Sequence, residues 1–303
     1  MFHAHKLRAT LANGLVLAAL AWKACASGTQ ARFVDWLAVG DARISGLVLV
    51  DKPAGPSSFA VVADAKRRFG TKAGHAGTLD PLATGLLLVL LGKGTRLVRY
   101  LVGLDKRYRT EIRLGLRTST GDGEGEVVEE TEIATEKEIL GLEGEVELQV
   151  PAASAVKIGG ERAYKLHRRG VAVEMPLRAS TIHGLEIVRY APPLVELDLH
   201  VSSGTYVRAI ADALGGHCRR LRRTAVGPFR VEDADDERVL PLLAALVHLP
   251  ERTLDDSEAA LVRSGRPVPG AGEGPVALWT GDGELVAVGQ AGGGTIRPET
   301  VVG

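Results

Sequence analysis

The sequence predicts an α+β fold: a large domain built on a mixed, largely antiparallel sheet, followed by a small C-terminal β module. Three observations carry that prediction. Residues 107–114 (RYRTEIRL) and 195–201 (VELDLHV) alternate apolar and polar side chains with a period of two, the mark of a half-buried strand. The strand-like segments are mostly separated by short helical ones, and hairpin-like alternation recurs among them, which favours α+β organisation. Near the C-terminus, VALWT and ELVAVGQ flank a tight Asp-Gly turn and read as a β-hairpin.

Taken in order, the chain opens with a segment unlike the rest. Lys6 and Arg8 precede LANGLVLAALAW, and small residues Ala24 and Ala26 follow, a pattern like a secretory signal peptide. Packed-domain patterning starts only at ISGLVLVDK, so residues 1–43 are expected to be either a signal-like segment or a translated extension outside the domain. Residues 45–50 read as a buried strand ending in DKPAGPSS. Ser57 or Ser58 can cap a helix through VVADAKRRF, with Gly70 as its stop. LLLVLL (86–91) is a short buried strand, and residues 95–104 are expected to be helical.

In RYRTEIRL, Tyr108, Thr110, Ile112 and Leu114 take one face, and Arg107, Arg109, Glu111 and Arg113 the other. TEKEIL (135–140) has the Thr-x-x-Glu spacing of a capping box. Residues 161–169 form a helix closed by Gly170. SSGTYVRAIADALGG gives a strand, a turn and a helix stopped by Gly215 and Gly216. Residues 231–241 are acidic, end in a proline and read as a linker, with a helix over 254–264 beyond it. The expected division is a large domain over 44–235 and a small module over 240–303.

With 303 residues, 45% of them hydrophobic, the chain can bury a sizeable core and disorder is not expected. Cys25 and Cys218 match no metal-ligand spacing and make no disulfide framework, in keeping with a reducing compartment. No apolar run approaches the roughly 18–20 residues that span a bilayer. The formal net charge is zero, but it hides alternating blocks. Residues 52–113 hold 12 Lys and Arg against 4 Asp and Glu, and residues 157–230 hold 13 against 6. Residues 114–150 and 231–303 are acidic, with 2 basic against 11 acidic residues and 5 against 13. If the basic blocks meet in space they form a surface able to neutralise several phosphates. If they do not, they are solvated faces of mixed sign.

One stretch concentrates chemistry: GHAGTLDPLATGLL, residues 74–87. Asp80 lies between Leu79 and Pro81, and the proline biases it away from helix. Gly74, Gly77 and Gly85 permit close approach of another backbone or a ligand. Alone, a Leu-Asp-Pro could be a simple turn cap. Together with DKPAGPSS before it and GTYVRAIADALG after it, the stretch resembles the TruB family of tRNA pseudouridine synthases. DKRYRTEIRLGLRTSTGDGEG (105–125) and ASAVKIGGERAYKLHRRG (153–170) extend the likeness, which runs from about Gly46 to Phe229.

The resemblance implies a pseudouridine synthase catalytic domain followed by a PUA-like module. Its substrate would be uridine 55 in the T loop of tRNA, flipped out of the loop for reaction. The reaction cleaves the glycosidic bond, turns the base and rejoins it through C5. As an isomerisation it needs no cofactor and no metal, in keeping with the lack of a GxGxxG or GxxxxGK[ST] motif in the sequence.

By the same resemblance Asp80 is the essential carboxylate, either a nucleophile or a base toward the sugar. Arg208 pairs with it and keeps it ionised, since a dry carboxylate alone would take up a proton. Tyr108 stacks on the uracil. Tyr206 and Leu221 line the pocket, and His75 enters the RNA loop. Lys52 and Pro53 support the active-site loop, and Asp122 anchors polar groups near the flipped nucleotide. Arg222 and Arg223 belong to the basic surface that binds substrate phosphates. The C-terminal module would reach the acceptor end of tRNA.

Two departures from the family pattern stand out: Pro151-Ala152 where two prolines are usual, and Ser203 where a lysine often precedes Gly-Thr-Tyr. The family further implies a cytoplasmic monomer acting on tRNA without a membrane or an obligatory protein partner. Two readings compete: a tRNA-binding or folding protein without turnover, and a member of the guide-RNA-dependent branch of the superfamily.

Overall fold

The computed structural model describes residues 44–302; the expectations for residues 1–43 lie outside them. The chain begins with β1 (Gly46–Lys52), α1 (Ser58–Arg68), β2 (Ala73–His75) and β3 (Thr84–Leu91). After a 3-10 turn come α2 (Val98–Val102), β4 (Lys106–Leu114), β5 (Leu116–Thr118), β6 (Val127–Glu130), α3 (Glu136–Leu140) and β7 (Gly144–Gln149). The short β8 (Lys157–Ile158) and β9 (Glu161–Arg162) lead into α4 (Ala163–Arg168), β10 (Leu177–Ala191), β11 (Leu194–Val201) and α5 (Val207–Ala213). The large sheet is completed by β12 (Gly216–Val226), β13 (Phe229–Arg230) and β14 (Asp235–Leu240). Then follow α6 (Leu242–Ala245), β15 (Glu251–Leu254), α7 (Asp256–Arg263), β16 (Val268–Pro269), β17 (Gly274–Thr280), β18 (Leu285–Gly292) and β19 (Thr295–Val301).

The large sheet runs β14-β1-β3-β12-β4-β11-β10-β7, with β2 added on β3 and β13 on β12. Every pairing in it is antiparallel except β3 with β12, so the sheet is mixed and largely antiparallel as expected. That single parallel contact is short, Arg222 opposite Thr84 and Arg223 opposite Gly85. It joins the two halves of the sheet just where the GTLDP loop ends.

Sequence pattern explains the layering. β1 and β3 are apolar on both faces. Leu47, Leu49, Leu86, Leu88 and Leu90 enter one cluster, while Val48, Val50, Leu87, Val89 and Leu91 enter another under α1. A strand covered on both sides reads as a continuous apolar run, hence LLLVLL. β4 instead keeps strict alternation, with Tyr108, Thr110, Ile112 and Leu114 buried. Its buried face joins Leu197, Leu199, Ile210 and Leu221 in the largest cluster, with α5 as part of the cover.

Helix ends follow local chemistry. The Ser57 side chain caps α1 by accepting from the Ala60 N–H, and Gly70 at φ +61 follows its end. Thr135 and Glu138 form the full capping box of α3. The helix expected over 95–104 is divided into a 3-10 turn over Gly92–Leu97 and then α2. The helix expected from residue 254 starts at Asp256, because Leu254 is the last residue of β15 and Asp255 is the cap.

One segment departs further. Residues 231–241 are not a linker, because β14 pairs antiparallel with β1, Leu47 opposite Leu240 and Leu49 opposite Asp235. Backbone pairing is indifferent to acidic side chains at a sheet edge, where charge suits solvent and discourages further pairing. Asp236 also meets Arg68 of α1 at 3.1 Å.

The C-terminal strands form a second sheet, β15-β17-β18-β19-β16, packed on α7. This half-barrel agrees with the expected PUA-like module. It also shares a core with the large domain: Ala277, Trp279, Leu285, Val288 and Val302 cluster with Leu47, Leu97, Leu101 and Phe229. Arg96 donates to the Val301 carbonyl at 2.8 Å, and the Tyr100 and Thr300 hydroxyls bond at 2.9 Å. Among the described residues no helix is long and apolar enough to cross a membrane.

Candidate active site

The GTLDP loop, between β2 and β3, is fixed by donors that reach its backbone from three directions. Ser58, the first residue of α1, both accepts from the Leu79 N–H at 2.8 Å and donates to the Leu79 carbonyl at 2.9 Å. The fully buried Lys52 donates to the carbonyls of Pro53, Pro56 and Pro81 at 2.8, 2.9 and 3.3 Å. From the opposite side Arg223 donates to Leu86 O at 2.7 Å, Gly77 O at 3.0 Å and Thr78 O at 3.4 Å. The Gly55 N–H adds a bond to Pro81 O at 2.9 Å. Carbonyls thus satisfy two buried cations, and the cations in turn immobilise the loop on both sides of Asp80.

Gly85 makes this approach possible. Its φ is +101°, and a Cβ there would lie 2.2 Å from the Arg223 carbonyl. Any side chain would push β3 away from β12 and release the loop.

Asp80 stands at the edge of this frame with its side chain 32% exposed, while its partner Arg208 is only 2% exposed. The Arg208 Nε donates to Asp80 Oδ2 at 2.8 Å. The rest of the guanidinium is consumed by structure: Nη1 donates to Thr120 O at 2.6 Å and Nη2 to Ala153 O at 2.9 Å. The arginine is therefore locked in orientation, and it presents Asp80 with a fixed charge that water cannot screen from behind. Asp122 Oδ2 lies 3.8 Å from Nη1, a second carboxylate near the buried cation.

Around this pair Tyr108, Leu221, Leu79 and Ala83 share one buried cluster, and Tyr206, at the start of α5, packs partly buried against it. The structure thus brings Tyr108, Tyr206 and Leu221 to the apolar wall beside the Asp80 loop. His75 on β2 is half-buried, opposite Val89, and its Nδ1 is enclosed without a hydrogen-bond partner. Burial, and secondarily the charge of Arg223, lowers its pKa and favours the neutral ring.

Three expectations need correction or refinement. Arg223 is 1% exposed and spends its guanidinium on loop carbonyls, so it is a frame residue and not a surface phosphate ligand. Adjacent residues on a strand face opposite ways, and only Arg222 points outward. Arg222 is 41% exposed but holds Asp51 through bonds of 3.0 and 2.7 Å, so a phosphate there must displace a carboxylate. Asp122 is buried and accepts from Thr120 Oγ1 at 2.5 Å and Glu124 N at 3.1 Å. It organises its own loop and faces Arg208, so what it holds directly is protein, beside the Asp80 pair.

Sequence reasoning missed the double clasp of Ser58 and the part that the Thr120 and Ala153 carbonyls play in holding Arg208. Ser58 was readable only as a helix cap, and backbone acceptors leave no side-chain signal. Cys218 lies fully buried near this site, its thiol pushed up to about 12 mainly by burial, which makes it a poor nucleophile. Among the described residues no three His, Cys, Asp or Glu side chains converge as metal ligands.

Residues 66–207 match the model of the TruB family pseudouridylate synthase N-terminal domain. The chain is 41% identical over 296 residues to the tRNA pseudouridine synthase B of Arthrobacter sp. (strain FB24), covering 85% of this chain and 96% of that one. It is 37% identical over 287 residues to the tRNA pseudouridine synthase B of Aromatoleum aromaticum, covering 86% and 93%. Among solved structures it resembles a chain of a Cbf5-Nop10-Gar1 complex, with 30% identity, a TM-score of 0.63 and coverage of 85% and 84%. The family model spans the GTLDP loop and most of the large sheet, the relatives cover most of the chain, and the chain belongs to the TruB family of pseudouridine synthases.

Proposed function

We propose that this protein isomerises uridine to pseudouridine in tRNA, at position 55 of the T loop, working alone in the cytoplasm. The observation that carries the reading is the Asp80–Arg208 pair, a reachable carboxylate held at 2.8 Å by an unreachable guanidinium. The reaction breaks the N1–C1′ bond and makes a C5–C1′ bond, with the C5 proton lost and N1 protonated, so atoms balance without a co-reactant. The base leaves and returns within one pocket, which must be closed to water and fixed in shape.

Each residue has a part in that requirement. Asp80 supplies the negative charge next to the sugar and base, as nucleophile or as proton acceptor. Arg208 aims it and sets a fixed positive charge beside it. Tyr108 offers a ring to the flipped uracil, and Leu221 and Tyr206 exclude water from the wall of the pocket. His75, half-buried and with its pKa lowered by burial, is the family residue that enters the opened RNA loop. Lys52, Arg223 and Ser58 keep the carboxylate from drifting when RNA binds.

The test is incubation of purified protein, without other proteins or guide RNA, with unmodified tRNA transcript, followed by mapping of pseudouridine. Product at T-loop position 55 supports the proposal. Tight binding with no product would favour an RNA-folding role, and product only with added guide RNA or proteins would move the chain to the guided branch.

A further inference from the structure

The face of β4 turned away from Tyr108 carries a row of residues that the reaction does not use. Strand register places Arg107 opposite His200 of β11 on one side and opposite Ala225 of β12 on the other. Ala225 in turn lies opposite Arg230 of β13, and His200 opposite Gly184 of β10. Small residues thus flank a cross-strand row of His200, Arg107 and Arg230. His183 stands beside it, its ring centroid 5.0 Å from that of His200.

Charge makes this row unusual. Two residues along, Arg109 is neutralised by Asp198 through its Nε at 2.8 Å. Arg219 on the neighbouring strand meets Glu111 at 3.3 Å. Among the described residues, the guanidiniums of Arg107 and Arg230 have no hydrogen bond and no ion pair. Asp105 faces the imidazoles, 3.5 Å from His183 Nε2 and 3.8 Å from His200 Nε2, and the carboxylate whose charge reaches Arg107, Asp198, is already held by Arg109. The charge of Arg230 acts against that of Arg107 across Ala225, and an anion lying across both removes that penalty.

We propose that Arg107 and Arg230, with His200 and His183, form a phosphate-binding site on the outer face of the sheet, occupied by the RNA backbone away from the reacting loop. The assignment of RNA as the phosphate donor rests on the function proposed above; the phosphate chemistry does not. The planar forks of two arginines match phosphate oxygens bidentately, and His200 can add a donor when protonated. The row lies at the start of β4 and the end of β12, so a strand bound to one face of the sheet can pass round its end to the other.

Burial first, and then Arg107, His183 and Arg230, lower the His200 pKa, with Asp105 opposing. Burial and Arg230 lower that of Arg107, against Asp198. An anion cancels the arginine field, so it promotes proton uptake by His200, and by linkage it binds more tightly as pH falls toward 6.

Histidine NMR titrations with and without inorganic phosphate test the site directly, on wild type, R107Q and the R107Q/R230Q variant. In wild type, phosphate is expected to raise the apparent His200 pKa by about half a unit or more, and the shift should be lost in the double variant. A His200 titration that ignores phosphate overturns the proposal. Binding of unmodified tRNA is then measured against salt. The double variant should show a slope smaller by about one counterion, with a several-fold loss of affinity at pH 6.5 and a smaller loss at pH 8. A phosphate response with an unchanged salt slope overturns the RNA assignment and leaves a site for a small phosphate-bearing anion. R107Q alone tests the same shift if the double variant melts early. Pseudouridine formation is scored separately, so failure of the catalytic reading leaves the phosphate titration readable.

Discussion

Arginines stand on both sides of the central sheet, yet they do different work. On the buried side the guanidiniums of Arg208 and Arg223 donate to fixed acceptors, among them Asp80 itself and the Gly77 and Thr78 carbonyls. On the outer side Arg109, Arg219 and Arg222 pair with carboxylates in water, and among the described residues the guanidiniums of Arg107 and Arg230 have no ion-pair partner. Burial makes the difference. An ion pair in water contributes little, whereas a buried cation must be satisfied completely and then constrains everything it touches. The inner arginines define geometry; the outer ones define a surface.

The sharpest way to break that contrast is at Asp80. Asp80→Asn preserves shape and loses charge. It should fold, bind tRNA nearly as well and lose pseudouridine formation by several orders of magnitude. Turnover above about one per cent of wild type in a mapping assay would remove Asp80 from the chemistry. Next in size is Arg223→Met, which leaves the Gly77, Thr78 and Leu86 carbonyls without their donor and should reduce stability by about 2–4 kcal/mol in a denaturant melt. Arg222→Gln, its outward neighbour, should change stability by less than about 1 kcal/mol. Equal losses in the two variants would refute the division into frame and surface.

Tyr108 probes the wall between the two sides. Tyr108→Phe keeps the ring and should keep tRNA binding, whereas Tyr108→Ala should weaken binding by about 1–3 kcal/mol. Wild-type behaviour in both would return the residue to the core. Lys106, on the same buried face, donates to Val102 O, Leu104 O and Ser203 Oγ, with its pKa lowered to about 8 mainly by burial. Its unfolded value is near 10.5, so between about 8 and 10.5 the unfolded chain binds more protons and this residue's contribution to stability rises with pH. Lys106→Met should flatten that rise in melts taken across the window. Smallest of all, Arg109→Gln on the outer face should shift stability by less than about 1 kcal/mol, and less again at high salt.

Much of this was legible in the residues. Period-two alternation located β4 and β11, Ser57 and Thr135 announced their helices, and the turn after VALWT marked the C-terminal hairpin. The GTLDP loop and Arg208 stood out through family likeness, not through any pattern of spacing. What stayed hidden was hidden for physical reasons. β14 is held by backbone bonds that its acidic side chains do not advertise. The separation of Arg222 from Arg223 was available from strand alternation, but a run of basic residues reads first as surface. That Asp122 turns inward depends on Arg208, which is 86 positions away in the chain and adjacent only after folding.

The core shared by the C-terminal half-barrel and the main sheet has a consequence for substrate choice. Trp279, Leu285 and Val302 pack among Leu97 and Leu101, and Arg96 and Tyr100 are tied to β19, so parting the half-barrel from the main sheet would bare apolar surface on both. Under the function proposed above, an RNA that reached both places would be measured against their spacing, and one whose arm was too long or too short would lose a contact at one end however well its loop fitted the other.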